Sequence, residues 1–391
     1  MSYYLLQVEK MKIVLSDNGL HLRFAPLTLT RPVGNLRIGI LTNDDRWKQF
    51  VPNAEIFFET ETYLQNKFNG TETFDLKVNA AVIPNKEVVE QSLNLKDKHR
   101  LVLNGVWIAE KGNDIKNEVE FKGEVPLILT QRWDLYQQNG KVLTADFELL
   151  TQGRKSQPLS TSNTIIGDAS LVFLEEGANV EASILNTKSG PIYIGKNAEI
   201  MEGSVVRGPL SLCEFAGLKL ATKVYGPTTL GPHCKVGGEV NNVIFQAYSN
   251  KGHDGFIGNA VIGEWCNLGA DTNSSNLKNN YSNVKAYSYE TDQMENTDVQ
   301  FMGLMMGDHS KCGINTMFNT ATVVGVSANI YGGDFPSKKI DSFSWGGPNH
   351  RVVDFQLEKA IEAAKAMMDR RNVSFTDADR EIFEFLSQNN R

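Results

Sequence analysis

The stretch Ile194-Gly195-Lys196-Asn197-Ala198-Glu199-Ile200 opens a run in which every sixth residue is aliphatic: Ile194, Ile200, Val206, Leu212, Leu218, Val224, Leu230 and Val236. With about a third of residues aliphatic or similar, such a run arises by chance at a frequency on the order of one in several thousand per register. A period of six fits neither the helix nor a free strand. It suits short strands wound round a triangular coil, with one inward side chain per face. The step recurs upstream at Ile166, Val172, Ala178 and Ile184, and downstream at Met306, Cys312, Phe318, Val324 and Ile330. Glycine often follows the aliphatic position, as in Ile194-Gly195, Leu230-Gly231 and Val324-Gly325, where the chain must turn a tight corner. A β-sandwich spaces its turns at 8–12 residues, so the pattern predicts a parallel β-helix over residues 163–347.

The register breaks near Asn186–Pro191, at Tyr248–Gly255, and most of all across Ala270–Gly303. Those breaks predict loops leaving the coil, where binding chemistry usually sits. Past Pro348, Val353–Met368 has the apolar stripe of a helix, and Thr376-Asp377-Ala378-Asp379 reads as the N-cap of a second, giving a C-terminal helical hairpin over 348–391. The first part of the chain lacks the six-step. Its runs Lys12-Ile13-Val14-Leu15, Ala80-Ala81-Val82-Ile83-Pro84 and Arg100-Leu101-Val102-Leu103-Asn104 resemble buried parallel strands, with helical patterns between them, which predicts an α/β domain over 1–155. A polar linker with Gly153 and Pro158 falls at Thr151–Ser162.

Composition narrows the function. A formal charge of −7 and a pI near 5.5 disfavour nucleic acid or an anionic membrane as partner and favour small-molecule ligands. The stretch Met1–Lys10 has no basic segment leading into an apolar one, and no apolar run is long enough to span a bilayer, so the reading is cytoplasmic. Cys213, Cys234, Cys266 and Cys312 form no C-x-x-C pair and are expected as reduced thiols.

The histidine best placed for chemistry is His253, in Ser249-Asn250-Lys251-Gly252-His253-Asp254-Gly255, a loop between two coils. An imidazole with the usual pKa near ~6.5 can take a proton from an attacking amine. The bland alternative is a loop histidine held by hydrogen bonds. Gly252-His253-Asp254-Gly255-Phe256-Ile257-Gly258-Asn259-Ala260-Val261-Ile262-Gly263, followed by Asn267-Leu268-Gly269-Ala270-Asp271-Thr272, resembles a segment of the bifunctional N-acetylglucosamine-1-phosphate uridylyltransferase/glucosamine-1-phosphate acetyltransferase family, GlmU. There the matching histidine is the general base. The whole chain resembles GlmU-like proteins with a sugar-nucleotidyltransferase-like domain ahead of a left-handed β-helix.

That resemblance implies left-handed coils, a homotrimer, acetyl-CoA or another acyl-CoA as co-substrate, and a sugar phosphate or amino sugar as acceptor. It implies His253 as catalytic base, with Lys223, Glu239, Asn267 and Asn276 on like positions and Lys251, Asp254 and Asp271 beside them. Three positions depart from the family: Asn241 stands where a lysine binds phosphate, and Phe256 and Leu277 replace tyrosines. Lys278 or Lys285 is the candidate to restore the missing charge, and the acceptor need not be glucosamine 1-phosphate. The carbonic anhydrases that share this coil use three histidines, but His233, His253 and His309 are far apart in sequence and no metal site is expected.

At the N-terminus, Leu15-Ser16-Asp17-Asn18-Gly19-Leu20-His21-Leu22-Arg23-Phe24-Ala25-Pro26-Leu27-Thr28 resembles the nucleotidyltransferase signature, with its glycines reduced to Gly19. Asp17, Gly19, Arg23 and Arg31 are the candidate nucleotide-binding residues, with Mg²⁺ and a nucleoside triphosphate as the implied ligands. Where the family has the aspartate of a Gly-Asp pair, Gly105 is followed by Val106, which cannot hold Mg²⁺. Asp17, Asp134 or Asp146 would have to compensate. Three functions stay in play: acyl transfer by the β-helix, sugar-1-phosphate nucleotidyl transfer by the first domain, and non-catalytic sugar-nucleotide binding on a trimeric scaffold.

Overall fold

The computed structural model describes residues 10–389, so the N-terminal reading of Met1–Glu9 lies outside the described residues. Two compact units emerge, one drawn from residues 10–21, 31–35 and 42–130, the other from 22–30, 36–41 and 131–389. The fold expected from sequence is the one found, an α/β sheet unit and a parallel β-solenoid of the left-handed type with C-terminal helices.

The first unit is built on one sheet with strands β1 (Lys12–Ser16), β2 (Glu55–Glu59), β3 (Leu76–Asn79), β4 (His99–Leu103), β5 (Val106–Lys111) and β6 (Asn117–Glu120), in the order β2-β1-β3-β5-β4-β6. Ile13, Val14 and Leu15 are all buried, as a central strand covered on both faces requires. The sheet is mixed: β2, β1 and β3 run parallel, whereas β5 is antiparallel to both β3 and β4. In the run Ala80–Pro84, expected as a parallel strand, Ala80 and Ala81 form a buried turn and Val82 makes a single antiparallel bridge to Ile128. The Asn79 side chain accepts from the Ala81 N–H at 3.1 Å and the Asn79 carbonyl from that of Val82, so the chain bends as β3 ends. The one-turn helix α1 (His21–Phe24) follows the β1 turn, and α2 (Asn43–Phe50) and α3 (Lys86–Leu93) come later. Helix α3 is capped by Asn85, whose side chain accepts from the Val88 N–H at 2.8 Å.

In the second unit, short parallel strands stack coil upon coil, and the inward side chains form columns. One column runs Ile165, Leu185, Val206, Val224, Val240 and Ile257, paired in register. Another runs Val180, Ile200, Leu218, Val236, Lys251 and Leu268. The six-step phase holds from Ile194 to Val236 but slips upstream. Ile166 and Ile184 are 38% and 37% exposed, while neighbouring Ile165 packs on the core and Leu185 is fully buried. Upstream, the inward residues Ile165, Leu185 and Val206 lie 20 and 21 positions apart rather than the 18 of three sixes, so a series of sixes drifts off the inward register there. All four cysteines are free and buried.

One corner repeats down the stack with a non-glycine residue in the left-handed region: Asn197, Phe215, His233, Tyr248, Trp265, His309, Ser327 and Phe343, each with φ between 54° and 61°. In each, the backbone N–H donates to a carbonyl one coil earlier, for example Phe215 to Lys196, His233 to Glu214 and Tyr248 to Pro232. Left-handed backbone costs an L-residue roughly 1–2 kcal/mol. Stacking of the rings on one another offsets part of that cost: Phe215–His233, His233–Tyr248 and Tyr248–Trp265 have centroid separations of 4.8, 5.1 and 4.0 Å.

Helix α4 (Asp134–Thr151) belongs to this second unit. Its Leu143 and Phe147 pack with Phe173, Tyr193 and Cys213 of the solenoid. Its Asp146 accepts from the backbone N–H groups of Ile40 and Leu41, at 2.8 and 3.2 Å. At the C-terminus α5 (Leu357–Asp369) begins later than expected, because Val353–Asp354 pairs as a strand with Ser344–Trp345. Helix α6 (Asp377–Asn389) starts at the expected cap: the Thr376 hydroxyl donates to Asp379 at 2.7 Å, and the Asp379 N–H donates back at 3.3 Å.

Candidate functional site

His253 is exposed and lines a cleft of about 780 Å³ between the solenoid and α5. The solenoid wall carries an outward polar ladder, because parallel pairing sets Lys235 beside Asn250, Asn250 beside Asn267, and Asn267 beside Lys311. Lys219 adds a further cation from the solenoid, and Arg370 and Arg371 two more from the end of α5. Tyr248 and Trp265 lie in the lining as a stacked pair. No carboxylate lines the cleft, although the chain as a whole is acidic. The ammonium groups of Lys235 and Lys311 bond only to backbone carbonyls, of Phe215 at 2.8 Å and His309 at 2.9 Å. Burial pulls both lysines below the usual range. Burial, then Arg371, lowers His233 likewise. Five cations line the cleft, with Glu199 acting on Lys235 from outside the lining, and together they make its potential positive.

His253 stands on a constrained corner. Lys251 occupies an inward position that the neighbouring coils fill with Val236 and Leu268, and is 1% exposed. Its Nζ donates to the Gly237 carbonyl at 2.9 Å and to the His253 carbonyl at 2.8 Å. Desolvation pushes this ammonium down to about 8, against the pull of Asp254 and Asp271. Asp271, with φ +57°, donates its N–H to the Asp254 carbonyl at 3.0 Å.

The remaining candidates divide. Lys223, Glu239 and Phe256 sit in register on an adjacent outward face, with Lys223 and Glu239 ion-paired at 3.8 Å. Asn241 pairs in register with Tyr225 on that face. Asn276 donates to the Asn259 side chain at 2.7 Å. Lys278, expected to reach out and replace the missing phosphate-binding charge, is turned into its own loop, donating to the Asn283 carbonyl at 2.7 Å. Lys285 lies on a hairpin, Lys285–Ser288 with Gln293–Asn296, within the long insertion. Sequence reading missed Lys219, Lys235, Lys311, Arg370 and Arg371. The recurring aromatic at one corner, Phe215, His233, Tyr248 and Trp265, at spacings close to one coil, was the signal available for the stacked wall.

In the first unit, a pocket of about 450 Å³ gathers Asp17, Asn18, Gly19 and His21 from the turn after β1 with Glu59, Thr60, Glu61, Lys77, Arg100, Trp107 and Glu110. Gly19, at φ +70°, faces open space. Asp17 is committed to the fold: its carboxylate accepts from the Val33 N–H at 2.8 Å and the Thr60 hydroxyl at 2.5 Å, and lies 3.3 Å from His21 Nδ1. Lys77 is ion-paired with Glu59 and Glu110, and Arg100 with Glu110. Burial would raise Glu59, but hydrogen bonds from Ser16 and Lys77 outweigh it and hold the group low. Four carboxylates against two cations make this pocket a weaker anion site than the cleft. Arg31 is buried and donates to Asn35 at 3.2 Å. Arg23 lies in the second unit, paired with Glu290 at 3.0 Å, so the signature arginine does not join this pocket. Asp134 and Asp146 are likewise placed on α4, outside this pocket. Among the described residues no three acids, histidines or cysteines gather to hold a metal. The carboxylates present do not fit a Mg²⁺ site.

Residues 13–155 match the family described as sugar nucleotidyl transferase. The bifunctional protein GlmU of Trichodesmium erythraeum (strain IMS101) is 25% identical over 158 residues, 39% of this chain and 28% of that protein. GlmU of Picosynechococcus sp. (strain ATCC 27264 / PCC 7002 / PR-6) is 24% identical over 178 residues, 43% and 31% respectively. The chain thus spans less than a third of the length of the curated relatives it matches. The solved structure of the polySia-specific acetyltransferase NeuO covers 54% of this chain and 100% of its own at 10% identity, with a TM-score of 0.30. Residues 13–155 are thus similar to sugar nucleotidyl transferases, and part of the chain is similar to bifunctional GlmU proteins.

Proposed function

We propose that the solenoid unit transfers an acyl group from acyl-CoA to a sugar amine, with His253 as general base. The observation that carries this reading is His253 exposed in a carboxylate-free cleft lined by three lysines and two arginines. The cations suit the phosphates of CoA, and the groove along the coils suits its extended arm. His253 would take the proton as the amine attacks the thioester carbonyl. Collapse of the tetrahedral intermediate then expels the CoA thiolate, which is reprotonated as the amide forms. The face bearing Lys223, Glu239, Asn241 and Phe256 is the proposed acceptor side. Lys223 is engaged with Glu239 there and no second cation sits at Asn241, which favours an acceptor with little or no phosphate.

A homotrimer would cover the outward strand face that exposes Val205 (43%) and Tyr225 (44%). No helix among the described residues is long and apolar enough to cross a membrane. The second reading, nucleotidyl transfer by the first unit, is favoured by the family match over 13–155. Titration with acetyl-CoA by calorimetry tests the first reading: binding near one per subunit is expected, and His253→Ala should keep that binding while acetyl transfer to amino sugars falls roughly 10²–10⁴-fold. Silence with CoA, alongside heat from a nucleoside triphosphate, transfers the function to the first unit.

A further inference from the structure

We infer that Lys251 is a positioning residue for His253, an ammonium held inside the solenoid that clasps two successive corners and so fixes the backbone from which the imidazole projects. The inference rests on the reading of His253 as the base. Its physical basis is an anomaly in the inner columns. Val180, Ile200, Leu218, Val236, Leu268, Cys312 and Ile330 fill this column with apolar groups, and Lys251 interrupts it with a charge. A buried ammonium survives only where its N–H groups are satisfied, and here two carbonyls from consecutive coils meet that need, Gly237 above and His253 below.

The corner is shaped to receive the amine. A Cβ on Gly237 would lie 2.8 Å from the Gly252 carbonyl oxygen, and one on Gly238 would lie 2.9 Å from Lys251 Nζ, 2.9 Å from the Asp254 Cα and 2.8 Å from the Gly255 oxygen. Gly238 also has φ +75°, where a side chain adds strain. The Gly237-Gly238 pair, the lysine and the loop 252–255 therefore pack as one body. The outgoing hydrogen bonds bind that body to its neighbours: the Glu239 N–H donates to the Gly255 carbonyl at 3.1 Å, and the Asp271 N–H to the Asp254 carbonyl at 3.0 Å. Apolar packing alone would hold the column as the other coils do. What the ammonium adds is directional restraint on the His253 peptide, at a site where small misplacement of a base lowers turnover.

The test is Lys251→Met in the full chain, since methionine matches the stem in length and suits an apolar column. Amide hydrogen exchange should accelerate at least about tenfold at Glu239 and Asp271, while Gly217 and Lys311, bonded in other coils, exchange as before. Lys251→Gln, which keeps donors on a shorter stem, should fall between and serves if the methionine chain folds poorly. With acetyl-CoA and glucosamine as probes, turnover should lose kcat by about tenfold, with KM for acetyl-CoA within about twofold. Unchanged exchange at Glu239 and Asp271, or equal acceleration at all four amides, overturns the positioning role. Localised acceleration together with a His253→Ala chain that keeps full turnover leaves the clasp standing and removes His253 as the base.

Discussion

Replacing Lys251 with methionine should change the pH dependence of stability in a direction that the structure fixes. The ammonium titrates near 10.5 in an unfolded chain and is pushed down to about 8 in the fold, chiefly by desolvation, with Asp254, Asp271 and Cys312 the titratable groups that act on it. Between those values the unfolded state holds a proton that the folded state has released, so wild-type stability gains from Lys251 as pH rises from about 8 to 10.5. At about 1.4 kcal/mol per pKa unit, the full difference is roughly 3 kcal/mol. The methionine chain has no such term. Urea midpoints for the two chains, taken in parallel at pH 7 and pH 10.5, isolate it, because tyrosines and other lysines titrate alike in both. The methionine chain should hold its largest relative advantage at pH 7 and lose most of it by pH 10.5. A stability difference that stays constant across this range would refute the assignment of a desolvated, charged lysine to the inner column.

Three further outcomes follow from the same coordinates. Removing both cations at the end of α5, as Arg370→Ala with Arg371→Ala, should weaken acetyl-CoA binding at least about tenfold and flatten its salt dependence, read by calorimetry at two ionic strengths. Asp17→Ala strips partners from the Val33 N–H and the Thr60 hydroxyl, and should destabilise the first unit by about 2–4 kcal/mol, seen as an early transition in thermal unfolding. Val205→Asp places a charge on the exposed strand face, and sedimentation should show a trimer giving way to monomers while the circular dichroism of the solenoid is retained.

The solenoid was legible because its physics is periodic. From Ile194 to Val236 each coil has the same length, so inward residues recur at a fixed step, and the structure buries each of them. Where coils are longer, as between Ile165, Leu185 and Val206, a series of sixes points to Ile166 and Ile184 instead, since a sequence step carries no record of where an insertion sits. The mixed sheet of the first unit was less legible. A buried turn such as Ala80-Ala81 with its single bridge at Val82 is as apolar as a buried strand, and the Asn79 contacts that bend the chain there carry no apolar signal. Within the candidate site, His253 and Asn267 were readable from a motif. The cations were not: Lys219, Lys235 and Lys311 are dispersed over 93 positions and are united only by register, and Arg370 and Arg371 arrive from a helix whose docking no local pattern announces.

Two departures from local preference meet at the edge where His253 stands, and their coincidence bears on function. Phe215, His233, Tyr248 and Trp265 hold a backbone conformation that costs each of them free energy, and Lys251 places a charge where its column is otherwise apolar. A solenoid selected for stability alone would fill the corner with Gly or Asn and the column with Val or Leu, as it does at Asn197 and Val236. Such departures persist where they serve a site. Here Tyr248 and Trp265 form the stacked wall beside the cations, and the lysine restrains the peptide proposed to carry the base. The edge is thus specialised by exceptions to the repeat, and the pH-linked instability expected of Lys251 is the measurable counterpart of that specialisation.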